Sequence, residues 1–388
     1  MKQLKKILTV TLALCAFGTL LALTGCGAAA DTEQQNCAIV YANRQNSAAS
    51  PTLAQAAIED VVSTSGYLDV IRADGSPASS IVTGTYLGSE SENDSTRTYE
   101  NQAQLNNALQ AVYDTTAEAE EVDIVAAVEV AARSLASPKE GKNTIVIVDS
   151  GISTKGIVDF TEDGMIDADP DKFASYLKDN GLLPNLSGVD AIVWYGFSDV
   201  ADEQEAMPNN AKTQMQEIYA AVFKAAGVAN VSFDSAIGPT TDTPTSSLPK
   251  VTTVDMPATP KFSGAGTTVK LTQAQLSFEG NSAEFTDEAE SRAKQVLSEY
   301  AEALAADKNL TVDIRGYTAT TADCPNGDSV LAQQRADKVK SVLCELGADQ
   351  SQITAKGMGA GPVSDRDSSG KQIETLAAQN RYVELSFN

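Results

Sequence analysis

"IRGYTATTADCPNGDSVLAQQRA", residues 314–336, sets a β-compatible run ending at Gly316-Tyr317-Thr318 before a polar loop with one cysteine, then a helical stretch displaying Arg335. Upstream, "VKLTQAQLSFEGNSAEFTDEAESRAKQVLSEYAEAL" (269–304) reads as a strand followed by a helix. Ala289, Ala293, Val296, Leu297, Tyr300 and Leu304 fall on one face of that helix. Thr286 is suited to N-cap it, with Asp287 and Glu288 complementing its dipole in the first turn. The spacing then predicts a strand over Leu310–Gly316 and a second amphipathic helix bearing Val330, Ala336, Val339, Val342, Leu343 and Leu346, closed by Gly347. A third strand follows over Ile353–Gly359, then a short helix over Ile373–Ala378 and a last strand over Arg381–Phe387. The result is a βαβαβ unit with an added strand, a small mixed sheet carrying its helices on one face.

Working toward the N-terminus, residues 238–262 change character to "GPTTDTPTSSLPKVTTVDMPATPKF". Five prolines among threonines and serines favour an extended, unpacked linker (238–266) reaching up to ~75 Å at ~3.1 Å per residue. Before it, strand-like runs at Cys37–Tyr41, Tyr67–Arg72, Ile81–Leu87, Thr144–Asp149, Ala191–Phe197 and Val228–Phe233 alternate with helical runs at Leu53–Val62, Gln102–Tyr113, Val122–Leu135, Pro170–Lys178 and Ala211–Ala225. "NTIVIVD" and "DAIVWYG" are continuously apolar, as strands of a parallel sheet covered on both faces are. Tyr67–Arg72 and Ile81–Leu87, joined by "ADGSP", read instead as a hairpin at one edge. Residues 37–237 are therefore expected to form a doubly wound, mostly parallel α/β domain of Rossmann-like layout.

Composition removes several function classes. A chain of 388 residues, 42% hydrophobic, buries ordinary cores and suggests two domains. It contains no histidine, which excludes Ser-His-Asp and Cys-His catalysis, His-ligated zinc and a histidine general base. At the N-terminus, Lys2, Lys5 and Lys6 precede an uncharged, mostly apolar run to Leu23, then Leu23-Thr24-Gly25-Cys26. That is the layout of a secretory signal over residues 1–25, with 26–36 a short polar spacer. Losing three lysines and no acid takes the net charge from −24 to −27, which opposes nucleic-acid binding and adhesion to anionic head groups. Of the cysteines, Cys324 and Cys344 share a domain and are a candidate disulfide, against which stands the position of Cys344 far along the helix from the loop; Cys37 is left single.

The ending Leu-Thr-Gly-Cys resembles a bacterial lipobox, which implies cleavage before Cys26 and a diacylglycerol on its thiol. "FEGNSAEF", "IRGYT", "VLAQQRADKVKSVL", "ITAKGMG" and "NRYVEL" follow in the order and spacing of an OmpA-like C-terminal domain over about residues 267–388. That resemblance implies non-covalent association with peptidoglycan, an aspartate after Gly-His-Thr gripping the ammonium of the diaminopimelate side chain and a helix arginine gripping its carboxylate. Here Tyr317 stands where the histidine is usual, Thr318 and Arg335 match, and Asn380-Arg381 matches the start of the Asn-Arg-Arg-Val run. Ala319 occupies the place of the aspartate, so half of the expected recognition chemistry is absent there. Asp328 or Asp323 in the same loop offers a substitute carboxylate. The candidate wall-binding set is thus Thr318, Asp328, Arg335 and Arg381. Two alternatives stay open for Arg335: a surface ion pair with Asp328 or Asp337, or another anionic ligand. The N-terminal element order, over 37–235, resembles a von Willebrand A-like domain, which implies a divalent metal above the sheet. Only Ser47 and Asp149 match that family's ligands, and Arg44 in the first loop opposes a cation, so no metal or other cofactor is assigned. The bland role for Asp149 is to cap the following turn.

Together these readings describe a cell-envelope lipoprotein, lipid-anchored on the extracytoplasmic face of a bacterial membrane. Its expected partners are the peptidoglycan stem peptide, the membrane and an unidentified envelope protein. One alternative is an OmpA-like fold used as a protein-interaction scaffold without wall binding. The other is a metal-dependent envelope enzyme using Asp149, Asp190 or Asp199, for which no spacing brings two carboxylates together.

Overall fold

The computed structural model describes residues 33–80, 84–138, 140–236, 247–257, 260–285 and 289–388. The expected signal segment and Cys26 lie outside the described residues, as do Thr286, Asp287 and Glu288. No helix among the described residues is long and apolar enough to cross a membrane.

The first sheet is built from β1 (Gln35–Tyr41), β2 (Tyr67–Arg72), β3 (Ala78–Ser79), β4 (Thr85–Tyr86), β5 (Lys142–Val148), β6 (Ala191–Tyr195) and β7 (Asn230–Phe233). Their order is β3-β2-β1-β5-β6-β7, with β4 also on β2. The pairs β1–β2, β1–β5, β5–β6 and β6–β7 are parallel, whereas β3 and β4 are antiparallel to β2. The edge hairpin is present, although its return starts at Ala78, earlier than the expected Ile81, and residues 81–83 lie outside the described residues.

Five helices connect these strands: α1 (Gln55–Ser63), α2 (Asp94–Asp114), α3 (Ile124–Ser134), α4 (Pro170–Asp179) and α5 (Asn209–Ala225). Alternate strand residues supply two cores. Cys37, Ile39, Tyr41, Val146 and Val148 pack with Ile58 and Val61 of α1 and Val112 of α2. Ala38, Val40, Ile145, Ile147 and Trp194 pack with Val128 of α3, Phe173 of α4 and Tyr219 of α5. Covering both faces is why β1 and β5 read as unbroken apolar runs: each successive side chain enters one core or the other.

The second sheet comprises β8 (Thr268–Thr272), β9 (Val312–Thr318), β10 (Ile353–Ala360) and β11 (Tyr382–Phe387), in the order β10-β9-β11-β8. β10 runs parallel to β9, and β11 runs antiparallel to both β9 and β8. Helices α6 (Gln273–Leu276), α7 (Ala289–Ala306), α8 (Ser329–Glu345) and α9 (Glu374–Gln379) complete this part. Leu271, Val312, Ile314, Val383 and Leu385 face Leu297 and Tyr300 of α7 and Val339 and Leu343 of α8, so one sheet face is covered, as expected. Val330 departs from the predicted apolar face: it lies in the first turn of α8, 65% exposed.

The linker expectation fails in its second half. Val251, Val254 and Met256 are buried in the first core. Gln204 clamps Val254, its Nε2 donating to the Val254 carbonyl and its Oε1 accepting from the Val254 amide, each at 2.8 Å. Three apolar side chains and the Gln204 clamp hold this strap down. Residues 33–388 accordingly form one compact unit rather than two bodies on a long tether.

Candidate functional site

Two glycines let α8 lie directly on its sheet. A Cβ at Gly316 of β9 would overlap the Ala332 carbonyl, and one at Gly357 of β10 would overlap the amide of Gln333. This close approach fixes where Arg335 emerges. The strand delivers Thr318 beside the start of the same helix: its Oγ1 accepts from the Asp328 amide at 2.9 Å. Asp328 caps α8, its Oδ1 accepting from the amides of Val330 (2.9 Å) and Leu331 (3.0 Å).

Arg335 is 5% exposed and forms no ion pair among the described residues. Its Nε donates to the Ser282 carbonyl at 2.9 Å, and its guanidinium lies 4.9 Å from the centre of the Phe278 ring. Among the described residues those are its only polar or ring contacts, so both terminal nitrogens are uncommitted there. Burial, then the neighbouring Arg381, push its pKa down to about 10, with Asp169 opposing. The surface ion pair with Asp328 or Asp337 is therefore corrected: Asp328 is the helix cap, and Asp337 accepts from Gln333 Nε2 at 3.1 Å.

Arg381, equally buried, is fully engaged. Its guanidinium forms a bidentate pair with Glu374, the Nη2–Oε2 distance being 2.8 Å. Glu374 Oε1 also accepts from the Asp169 amide at 2.9 Å, tying α9 to α4. A cavity of about 160 Å³ brings all four expected residues together, with Thr318, Asp328, Arg335 and Arg381 on its wall beside Ala319 and Gln372. Asp323, the other substitute carboxylate, is exposed and forms no part of the wall.

The sequence reading missed Lys172, which enters the same cavity from α4. Its Nζ donates to Asn281 Oδ1 at 3.2 Å and lies 3.8 Å from Asp169 Oδ2. Burial lowers its pKa, and so do Arg381 and Arg335, against Asp169 and Glu374. No local spacing signals this residue, since it comes from the other sheet's helical layer.

The cysteine pairing is overturned: Cys324 and Cys344 are both free thiols. Cys324 lies in the loop before α8, whereas Cys344 is near that helix's far end, packed against the second core. Sixteen residues from the Asp328 cap at 1.5 Å each is about 24 Å, several times disulfide reach.

The metal candidates are corrected as well. At the carboxyl ends of β1 and β5, Arg44 Nη2 donates to both carboxylate oxygens of Asp149, at 2.8 and 2.9 Å, and Arg44 Nε adds a bond of 3.1 Å. Both groups are buried, and the guanidinium already neutralises the carboxylate. Asp149 Oδ1 also caps the turn by accepting from the Gly151 amide at 2.8 Å. Ser47 only accepts from the Ser150 amide, at 3.4 Å. No cluster of acidic or cysteine side chains suited to a metal occurs among the described residues. Asp190 precedes β6 and Asp149 follows β5, so these two carboxylates stand at opposite ends of parallel strands, on the order of 20 Å apart.

Comparison with known proteins bears on the second sheet. Residues 277–376 match the sequence profile of the OmpA family, so the C-terminal part is an OmpA-like domain. Among solved structures, the chain is similar to the periplasmic domain of Helicobacter pylori MotB, at 21% identity over 31% of this chain and 74% of that one, with a TM-score of 0.26. It is similar also to the peptidoglycan-associated lipoprotein from Burkholderia pseudomallei, at 23% identity over 31% and 89%, with a TM-score of 0.23. No curated protein sequence matches the chain.

Proposed function

We propose that this chain is a lipid-anchored cell-envelope protein whose OmpA-like domain associates non-covalently with peptidoglycan, tethering membrane to wall. Arg335 carries the reading. A buried guanidinium with uncommitted terminal nitrogens, on a cavity wall, suits bidentate pairing with a ligand carboxylate. Anchoring through Cys26 rests on the lipobox-like sequence before it. The first sheet, with an antiparallel edge on an otherwise parallel order, supports a von Willebrand A-like module that presents a surface to an envelope partner. Arg44 replaces the divalent cation in that module, and the separation of Asp149 from Asp190 favours binding over catalysis. Ala319 favours a second reading, an OmpA-like scaffold that has lost the wall. Co-sedimentation of the full chain with isolated peptidoglycan sacculi separates these readings. Retention that Arg335→Ala abolishes supports the proposal; no retention of the native chain leaves the scaffold, and retention indifferent to Arg335→Ala removes the site.

A further inference from the structure

Compared with the family pattern, the cavity lacks a carboxylate at Ala319 and gains a lysine from another part of the fold. Most of the charged groups at or beside it have an identifiable commitment. Arg381 is neutralised by its bidentate contact with Glu374. Asp328 spends Oδ1 on the α8 cap. Asp169 caps α4, its Oδ1 accepting from the Lys172 amide at 3.1 Å, and keeps Oδ2 at 3.8 Å from the Lys172 ammonium. What remains to attract an anion, among the described residues, is one guanidinium without an ion pair, Arg335, and one ammonium, Lys172, whose contacts are a neutral amide and a loose ion pair. They come from different sheets' helical layers and meet only because the two parts of the chain are packed together.

We propose that this cavity is a composite site for a ligand end-group carrying two carboxylates and no ammonium, one held by Arg335 and the other by Lys172. The inference rests on reading the cavity as a ligand site and names the ligand class. A zwitterionic end-group would bring its ammonium toward Lys172, with a methyl group at Ala319 where the family places the balancing carboxylate and only the α8-cap carboxylate of Asp328 on the wall to offset it. A second carboxylate meets the opposite situation. The depressed basicity of Lys172, part of which comes from Arg381 and Arg335, reflects the same crowding of positive charge that an anion relieves.

Glutarate and 4-aminobutyrate test this, being alike in length and differing in one terminal charge. Calorimetric titration of the full chain in detergent should show glutarate binding at least about tenfold tighter, the scale of one charge-assisted contact. Lys172→Met should weaken glutarate by a similar factor, and Lys172→Arg should retain it. Lys172 lies in the first turn of α4 with its side chain 34% exposed, so both variants are expected to fold, which their thermal unfolding checks. Ala319→Asp should shift preference toward 4-aminobutyrate. Equal binding of the two probes, no glutarate binding, or indifference to Lys172→Met overturns the proposal. Sacculus retention separates it from the wall-binding reading. Retention without a glutarate preference leaves the wall reading and removes this one; a Lys172-dependent glutarate preference without retention does the reverse.

Discussion

Arg44→Met strands the Asp149 carboxylate in the centre of the first domain. Both side chains are essentially inaccessible, at 0% and 1%, and three N–H···O contacts of 2.8–3.1 Å join them. Removing one partner of such a pair costs about 3–5 kcal/mol, because the remaining charge stays buried without its counter-charge. The turn bond from Gly151 persists and keeps the loss toward the lower part of that range. At 1.36 kcal/mol per decade, the folding equilibrium constant falls by roughly two to nearly four orders of magnitude. The chain supplies its own reporter. Trp194 is the sole tryptophan, is fully buried and donates from Nε1 to the Asp149 carbonyl at 2.8 Å. Urea unfolding followed by its fluorescence therefore reads the core that holds the ion pair. Arg44→Met combined with Asp149→Leu should recover most of the loss, since replacing both partners by apolar groups is close to neutral. A single variant within about 1 kcal/mol of the native chain, or a double variant as unstable as the single, would refute a structural ion pair. Stabilisation of the native chain by millimolar magnesium would refute the claim that Arg44 leaves Asp149 no room for a metal.

Three further outcomes follow from particular contacts. Gly316→Ala forces a Cβ into the Ala332 carbonyl and should lift α8 from β9, costing about 1–3 kcal/mol and weakening sacculus retention through displacement of Arg335; unchanged retention and unfolding midpoint would show that the close approach is dispensable. Under native conditions at pH 8, a thiol reagent should label half-buried Cys324 and leave Cys37 unlabelled, because burial pushes the Cys37 thiol up to about 12; reducing and non-reducing mass analysis should agree, and a mass difference of two hydrogens would restore the disulfide. Gly164→Val places a side chain against the Thr375 carbonyl from a left-handed backbone (φ +86°), so it should part the two sheets' helical layers and enlarge the radius of gyration in X-ray scattering; an unchanged radius would sink the assignment of Gly164 to that seam.

The elements were readable where the periodicity was unambiguous. β2 has the expected boundaries, and β1, β5 and β6 start or stop within two residues of the expected positions. Each is an apolar run between turn residues, and burial on both faces leaves no polar alternation to confuse the assignment. Thr318, Asp328 and Arg335 around the cavity were readable through the OmpA-like resemblance, carried by a strand, loop and helix that follow one another locally, and Arg381 through the separate Asn380-Arg381 match. What escaped was contact at long range. Lys172 lies about 160 positions before Arg335, and its proximity depends on bonds such as Asp169 N–H to Glu374 and Ala274 N–H to Asp167 that no local pattern encodes. The strap at 251–256 escaped for a related reason. Composition reports that a proline-rich segment will not form a helix or strand, yet three apolar side chains suffice to dock an extended one.

The buried arginines of this fold separate structural from ligand-binding roles by a criterion independent of family. Arg44 and Arg381 are each satisfied by one carboxylate in a bidentate arrangement, Asp149 and Glu374, and removing either acid should behave as a core lesion. Arg335 is buried to the same degree with one carbonyl and one aromatic face as its partners among the described residues. Its uncommitted nitrogens border the cavity, where an incoming anion adds hydrogen bonds without first breaking an internal ion pair. The predicted stability effects are therefore opposite in kind. Replacing Arg335 by methionine relieves a desolvated charge and should leave the chain as stable as before or more so, while abolishing retention by the wall. A loss of stability as large as that of Arg44→Met would instead make Arg335 a structural arginine, and the cavity an ordinary packing gap between α4, α8 and α9.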